Sequence, residues 1–297
     1  MTFADFSAIS RFNIQKGSLP TAILGVVLAV PTASALLSLA VAAYVLLFYT
    51  ILTFACNLNA YCDVEVDRRY KTYMSDAVER LGRDTVRRIM AGEVALALVL
   101  TGFLAYIGHI MTAGLATVGL VLAAAYSQEP LRWKRRGLLG MVPVAIGLYL
   151  LPIPAGWLLI RPDLPTAVIA VAVGYALVME GITLVNTCED YAEDAEEDIR
   201  TPAHVLGLRT TLLLAPLMVS AGAVLAIGAV ETLGTTTLAR ALLGVFGLAS
   251  LVTVAETWPL HKEDDLEAAA KGAAPNMPRW FIMTRFTLLA AVLARLI

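Results

Sequence analysis

Apolar residues in this chain come in long unbroken runs rather than in the alternating or 3.6-residue stripes of a soluble fold. Between Lys16 and Asp63 lie 46 positions (17–62) without a charged residue. At about 20 residues per membrane-spanning helix, that stretch accommodates two spans with a break near Pro31-Thr32. Further apolar runs cover 86–108, 111–126, 138–160, 165–188, 209–230, 234–256 and 279–297, some only just long enough to cross a bilayer. The pattern predicts an all-α integral membrane protein with nine transmembrane helices. We read it as one domain, 1–297, with helices 1–4 over about 17–128, helices 5–8 over about 138–256 and helix 9 over about 279–297.

Composition agrees with this reading and rules out a soluble globular domain. Hydrophobic residues make up 59% of the 297 positions and charged residues 15%, against about 25% in soluble domains. Mean hydropathy is +0.75. The basic residues cluster around Arg11 and Lys16, around 68–88, at Arg132 to Arg136, at Arg200 and Arg209, and at Lys262, Lys271 and Arg279. These alternate loops hold 18 of the 22 Lys and Arg residues, so the positive-inside rule makes them and the N-terminus cytoplasmic. A polar start without a small-residue cleavage site argues against a signal peptide. The net charge of −2 mixes both signs on the same loops. Neither nucleic acid nor an obligate protein partner is expected. Cys56, Cys62 and Cys188 are too few and scattered for a disulfide framework or zinc site.

Two signatures stand out, Asn59-x3-Asp63-x3-Asp67 and Asn186-x3-Asp190-x3-Asp194, each closing an apolar run. Helical residues four apart differ by about 40° in azimuth, so each signature sets an amide and two carboxylates on one face. Their duplication makes helices 1–4 and 5–8 look like weakly similar halves converging over one central cavity. Asp63, Asp67, Asp190, Asp194 and Asp198 would repel one another if bare. Magnesium relieves this, since it takes one or two carboxylates and completes its shell with water and phosphate oxygens. Two or three Mg2+ ions bridging a diphosphate are therefore expected. Arg68, Lys71, Arg132 and Lys134 are candidates for the phosphate oxygens. A diphosphate site over an apolar cavity suggests an isoprenoid diphosphate with its tail among lipid. Tyr126 and Tyr191 are among the aromatics able to shield the allylic cation.

These residues carry a family resemblance. Asn59-Ala60-Tyr61-Cys62-Asp63-Val64-Glu65-Val66-Asp67 resembles the NxxxDxxxD motif of the UbiA superfamily of intramembrane prenyltransferases. Asn186 to Asp194 resembles its second acidic motif, followed by a similar His204-Val205-Leu206-Gly207. The segment Tyr126 to Gly137 looks like the one after the family's fourth helix. The likeness covers most of the chain. It implies nine helices around a cavity open laterally to lipid, and magnesium-dependent ionisation of a prenyl diphosphate with transfer to a lipophilic acceptor. Asn59, Asp63 and Asp67 then form one metal cluster and Asp190 and Asp194 the other, with Asn186 beside them and Asp198 a possible extra ligand. The chain departs from the family in reading Arg68-Arg69-Tyr70-Lys71 after the first motif, and Pro130 where some members carry lysine four residues after the tyrosine.

Plainer readings apply elsewhere. Topology signalling explains Arg87, Arg88, Arg135 and Arg136. Glu193, Glu196 and Glu197 suit a solvated loop, and Arg240 and Glu256 can snorkel from helix ends. The histidines read as ordinary loop or helix-end residues. Glu180 is a candidate to face the cavity and orient an acceptor or quench a cation, and Arg285 is unassigned. A terpene cyclase would keep the same metal site and dispense with the acceptor. A transporter would need its carboxylates at mid-depth, whereas these lie at one membrane face.

Overall fold

The computed structural model describes residues 2–297; Met1, with which the expected domain begins, lies outside them. Short helices α1 (Phe3–Ile9) and α2 (Phe12–Gln15) lead into α3 (Leu19–Ala29) and α4 (Leu39–Cys62). Next come α5 (Val64–Tyr70), α6 (Thr72–Leu81), α7 (Arg83–Tyr106) and α8 (Ile110–Ser127). The second part holds α9 (Pro152–Leu158), α10 (Thr166–Glu189), α11 (Tyr191–Glu196), α12 (Pro202–Leu206) and α13 (Leu208–Thr232). It ends with α14 (Thr237–Thr257), α15 (Leu266–Ala273) and α16 (Met277–Leu293). Among the described residues there is no strand, only an isolated bridge between Arg136 and Arg200.

Eight helical segments are long and apolar enough to cross a membrane. The one expected first is apolar but short. Lys16–Ala29 covers about 21 Å at 1.5 Å per residue, less than a hydrocarbon core of about 30 Å. Pro31 sets the limit, because it pushes Val30 out of the helical region to ψ 141°. Eight full spans and a shorter ninth helix thus stand where nine spans are expected. The polar and alanine-rich segment 261–278, which the sequence offers as a loop that caps the cavity or simply connects to the last apolar run, is instead largely helical. Asp265 caps α15 by accepting from Ala268 N at 3.0 Å, and Leu266–Leu296 runs on as one interrupted segment.

Proline also shapes the fifth span, Gly137–Leu158. Pro143 begins a π-helical stretch, Pro143–Leu150, closed by Leu151 N donating to Ile146 O at 2.9 Å. At the centre of the bundle α10 packs on α13 through glycine. A Cβ at Gly222 would stand 2.5 Å from Gly174 O, and one at Gly181 2.7 Å from Ala215 O. Likewise α3 touches α9 so closely that a Cβ at Gly25 would stand 1.9 Å from Ile153 O.

Candidate active site

Both signatures sit on helices that break at their middle aspartate. Asp63 closes α4 with φ −106° and ψ 10°, and Asp190 closes α10 with φ −89° and ψ 13°. Each break preserves the hydrogen-bond ladder. Asp63 N donates to Asn59 O (3.0 Å) and Asp67 N to Asp63 O (2.8 Å), as Asp190 N does to Asn186 O (3.4 Å) and Asp194 N to Asp190 O (2.8 Å). The amide and both carboxylates therefore keep one face across the change of direction.

The helices after the breaks reach toward each other. Arg69 pairs with Glu197 at 2.7 Å, the Tyr70 hydroxyl donates to Glu196 at 2.5 Å, and Lys71 Nζ lies 3.6 Å from Asp190. Gly137 N donates to Arg200 O at 2.7 Å, tying the segment after α8 to the one after α11. These exposed pairs add little stability each, yet together they fix the two acidic ends face to face.

Asp63 is buried among donors: Asn59 Nδ2 at 2.9 Å, Arg132 Nη2 at 3.0 Å and the Lys134 ammonium. Arg11, unnoticed among the topology-setting residues, donates from Nη2 to Asn59 Oδ1 at 2.9 Å. Arg11, Arg132 and Asp198 are the three non-glycine residues with left-handed backbones among the described residues, at φ 52°, 33° and 53°. Such conformations cost about 1–3 kcal/mol and gather at functional sites. Two of the three aim guanidinium groups at the first signature.

Below this polar rim lies a cavity of about 290 Å³. Arg11, Asn59 and Tyr126 line its mouth, and Leu47, Tyr44 and Pro152 its far end. From Asn59 to Tyr44 the wall runs about 22 Å along α4. The Tyr44 hydroxyl closes the floor by donating to Pro152 O at 2.6 Å.

The other expected residues are placed unevenly. Asn186 is exposed at the end of α10, and Tyr126 is half-buried at the neck of the cavity. Arg68 is directed to Glu65 and Glu79 at the surface, and Asp198 is exposed in its turn. The Tyr191 ring stacks on His204 with centroids 4.2 Å apart. His204 belongs to the capping box of α12 with Thr201, so it holds the loop after the second signature. Glu93 accepts from Asn57 Nδ2 at 2.7 Å, and its only sequence signal is to be the one carboxylate of α7 beyond the first-turn Asp84.

Burial, and next the charge of Asp63, pushes the Asp67 carboxyl up to about 6. Burial, and next Asp190, pushes Asp194 up to about 7. Asp67 Oδ2 is buried without a hydrogen-bond partner. Burial lowers the Lys134 ammonium, against the pull of Asp63. Among the described residues no three His, Cys, Asp or Glu side chains are gathered closely enough to hold a metal alone. That donor set fits magnesium carried with a phosphate ligand, which needs one or two carboxylates from the protein, and the unpartnered Asp67 oxygen is such a donor.

Comparison with known proteins bears on the family and the fold. The sequence profile of the UbiA prenyltransferase family matches residues 18–294. A digeranylgeranylglyceryl phosphate synthase structure has a TM-score of 0.71 at 14% identity, covering 97% of this chain and 98% of that one. A UbiA homolog from Archaeoglobus fulgidus bound to GPP and Mg2+ scores 0.69 at 17% identity, covering 96% and 99%. An apo UbiA homolog from Aeropyrum pernix K1 scores 0.67 at 17% identity, covering 95% and 97%. No curated protein matches the sequence. With the profile spanning nearly its whole length and the fold shared from end to end, the chain belongs to the UbiA prenyltransferase family.

Proposed function

We propose that this protein ionises a prenyl diphosphate and transfers the prenyl group to a lipophilic acceptor. The observation that carries the reading is the meeting of two acidic helix ends, joined by Lys71 and Asp190 at 3.6 Å, beside an apolar cavity whose mouth includes Asn59 of the first. Asp63, Asp67, Asp190 and Asp194, with Asn59 and Asn186, would hold two or three Mg2+ ions. Bound magnesium would neutralise the charge that develops on the departing diphosphate. Related proteins have been captured with GPP or DMAPP and Mg2+, which supports this assignment.

The chain's own residues supply the rest. Arg132, Lys134, Arg11 and Lys71 ring the rim and suit the outer phosphate oxygens, the guanidinium groups by paired contacts. The hydrocarbon tail lies along Leu47 and Ile51 in the deep cavity, out of water. Tyr126 at the neck presents a ring to the positive charge on the reacting carbon. Arg68, paired at the surface, and the exposed Asp198 stay outside this reading. The basic clusters support a cytoplasmic rim and N-terminus, with residues 1–297 working as one transmembrane unit of two similar halves.

The test is a mass-spectrometric product screen of purified protein with Mg2+ and several prenyl diphosphates, with and without host lipid extract. Adducts of prenyl group and acceptor should appear only when magnesium and extract are both present. A cyclic hydrocarbon or alcohol formed without extract would assign cyclisation instead. Intact diphosphates in every arm would refute both reactions.

A further inference from the structure

A second, smaller cavity of about 60 Å³ adjoins the first, sharing Tyr126 and Val144 with it. It has room for about four water-sized groups. Lys134 also lines it, as do Glu180, Thr183 and Thr187 of α10. Glu180 stands ten residues before Asp190, about 15 Å along the helix and so below the acidic rim, while Lys134 at the other edge of the same cavity is bound to Asp63 of that rim. It is 3% exposed, and its Oε2 is wholly buried with no hydrogen-bond partner. A carboxylate left so within a span is costly, and its place against a cavity marks a function.

What the pocket offers is acceptors. Thr187 spends its hydroxyl proton on Leu184 O at 2.9 Å, and Thr183 spends its own on Met179 O at 3.0 Å while accepting from the Tyr149 hydroxyl at 3.4 Å, so each keeps acceptor capacity for a ligand and no proton to give. The lysine at one edge is engaged by Asp63. An anionic acceptor would meet Glu180 without a free counter-charge, whereas a neutral donor would satisfy it. Across Tyr126 and Val144 lies the neck of the main cavity, where the reacting carbon is placed by the function proposed above.

We infer that the small cavity seats the hydroxyl of a neutral lipophilic alcohol or phenol and that Glu180 takes its proton, an inference resting on the prenyltransferase reading. The hydroxyl oxygen forms a bond to the first carbon of the prenyl group. The bond from that carbon to the diphosphate oxygen breaks, its electron pair leaving on the diphosphate. The hydroxyl proton passes to a Glu180 oxygen. The products are a prenyl ether, diphosphate and a protonated carboxyl that sheds its proton before the next turnover.

The test uses full-length protein in nanodiscs with Mg2+ and GPP, and decanol, heptylphenol and heptylbenzoate as acceptor probes. Ethers should form with decanol and heptylphenol and no ester with heptylbenzoate. Glu180→Gln should lower kcat for ether formation about 100-fold, the usual scale for losing a general base, with magnesium-dependent GPP binding unchanged. Glu180→Asp should recover part of that rate and keep the acid limb of the kcat profile, which Glu180→Gln should lack. Wild-type rates in Glu180→Gln, prenylation of heptylbenzoate, or GPP binding without any ether would overturn the role of Glu180. Absence of GPP binding in the wild type, read before acceptor is added, would overturn the prenyltransferase reading as well.

Discussion

Asp67 and Asp194 occupy matching places one turn beyond the helix breaks, and the same two forces act on both. Burial first, and a neighbouring aspartate second, raise them to about 6 and about 7. A raised carboxyl binds its proton more tightly in the folded chain than in the unfolded one. Its contribution to stability is therefore present at low pH and lost as pH rises through about 6 to 7. A divalent cation competes for the same oxygens and is effective only once those protons have gone. Without magnesium, the thermal midpoint should fall between about pH 5 and about pH 8, and magnesium added together with a prenyl diphosphate should raise it more at the higher pH than at the lower. Equal magnesium shifts at both pH values would contradict the placement of these carboxylates in the cation site. Arg11 shows what a residue list misses. Its charge is visible in the sequence, but the left-handed backbone that turns it toward Asn59 is set by tertiary packing.

Proline and glycine decide where the helices end and how near they come. Pro31 stops α3 early, and Pro143, Pro152 and Pro154 give the fifth span its π-helical stretch and irregular wall. Gly25 lets α3 approach the backbone of α9, which lines the deep cavity at Pro152 and Ala155. Gly25→Val should therefore cost about 1–3 kcal/mol or more by overpacking. The measurement is the melting temperature of purified protein, with Gly102→Val as control, since nothing lies within 4 Å of a Cβ there. Equal melting temperatures for the two variants would refute the close packing. Span positions were largely legible, because long apolar runs have one stable outcome in a bilayer. The 261–278 segment was less so: a short polar and alanine-rich helix has no periodicity long enough to distinguish it from a loop.

At the scale of the molecule, the bundle joins two acidic helix ends over a cavity that reaches most of the way across the hydrocarbon core. The pairing was legible because Asn-x3-Asp-x3-Asp occurs twice at like positions, and the even number of helices between the copies returns both to one side. The contacts that join them, Arg69 with Glu197 and Lys71 with Asp190, depend on how the short helices turn after each break. So does the commitment of Arg68 to the surface, which its place beside the motif did not reveal. The central claim is that both ends act on one diphosphate. It is tested most directly by magnesium-dependent diphosphate release from GPP in Asp63→Ala and Asp190→Ala, each made alone, with wild-type folding checked by melting. The account predicts that either change lowers release about 100-fold or more, since each removes transition-state charge stabilisation. Release at the wild-type rate in either folded variant would contradict it.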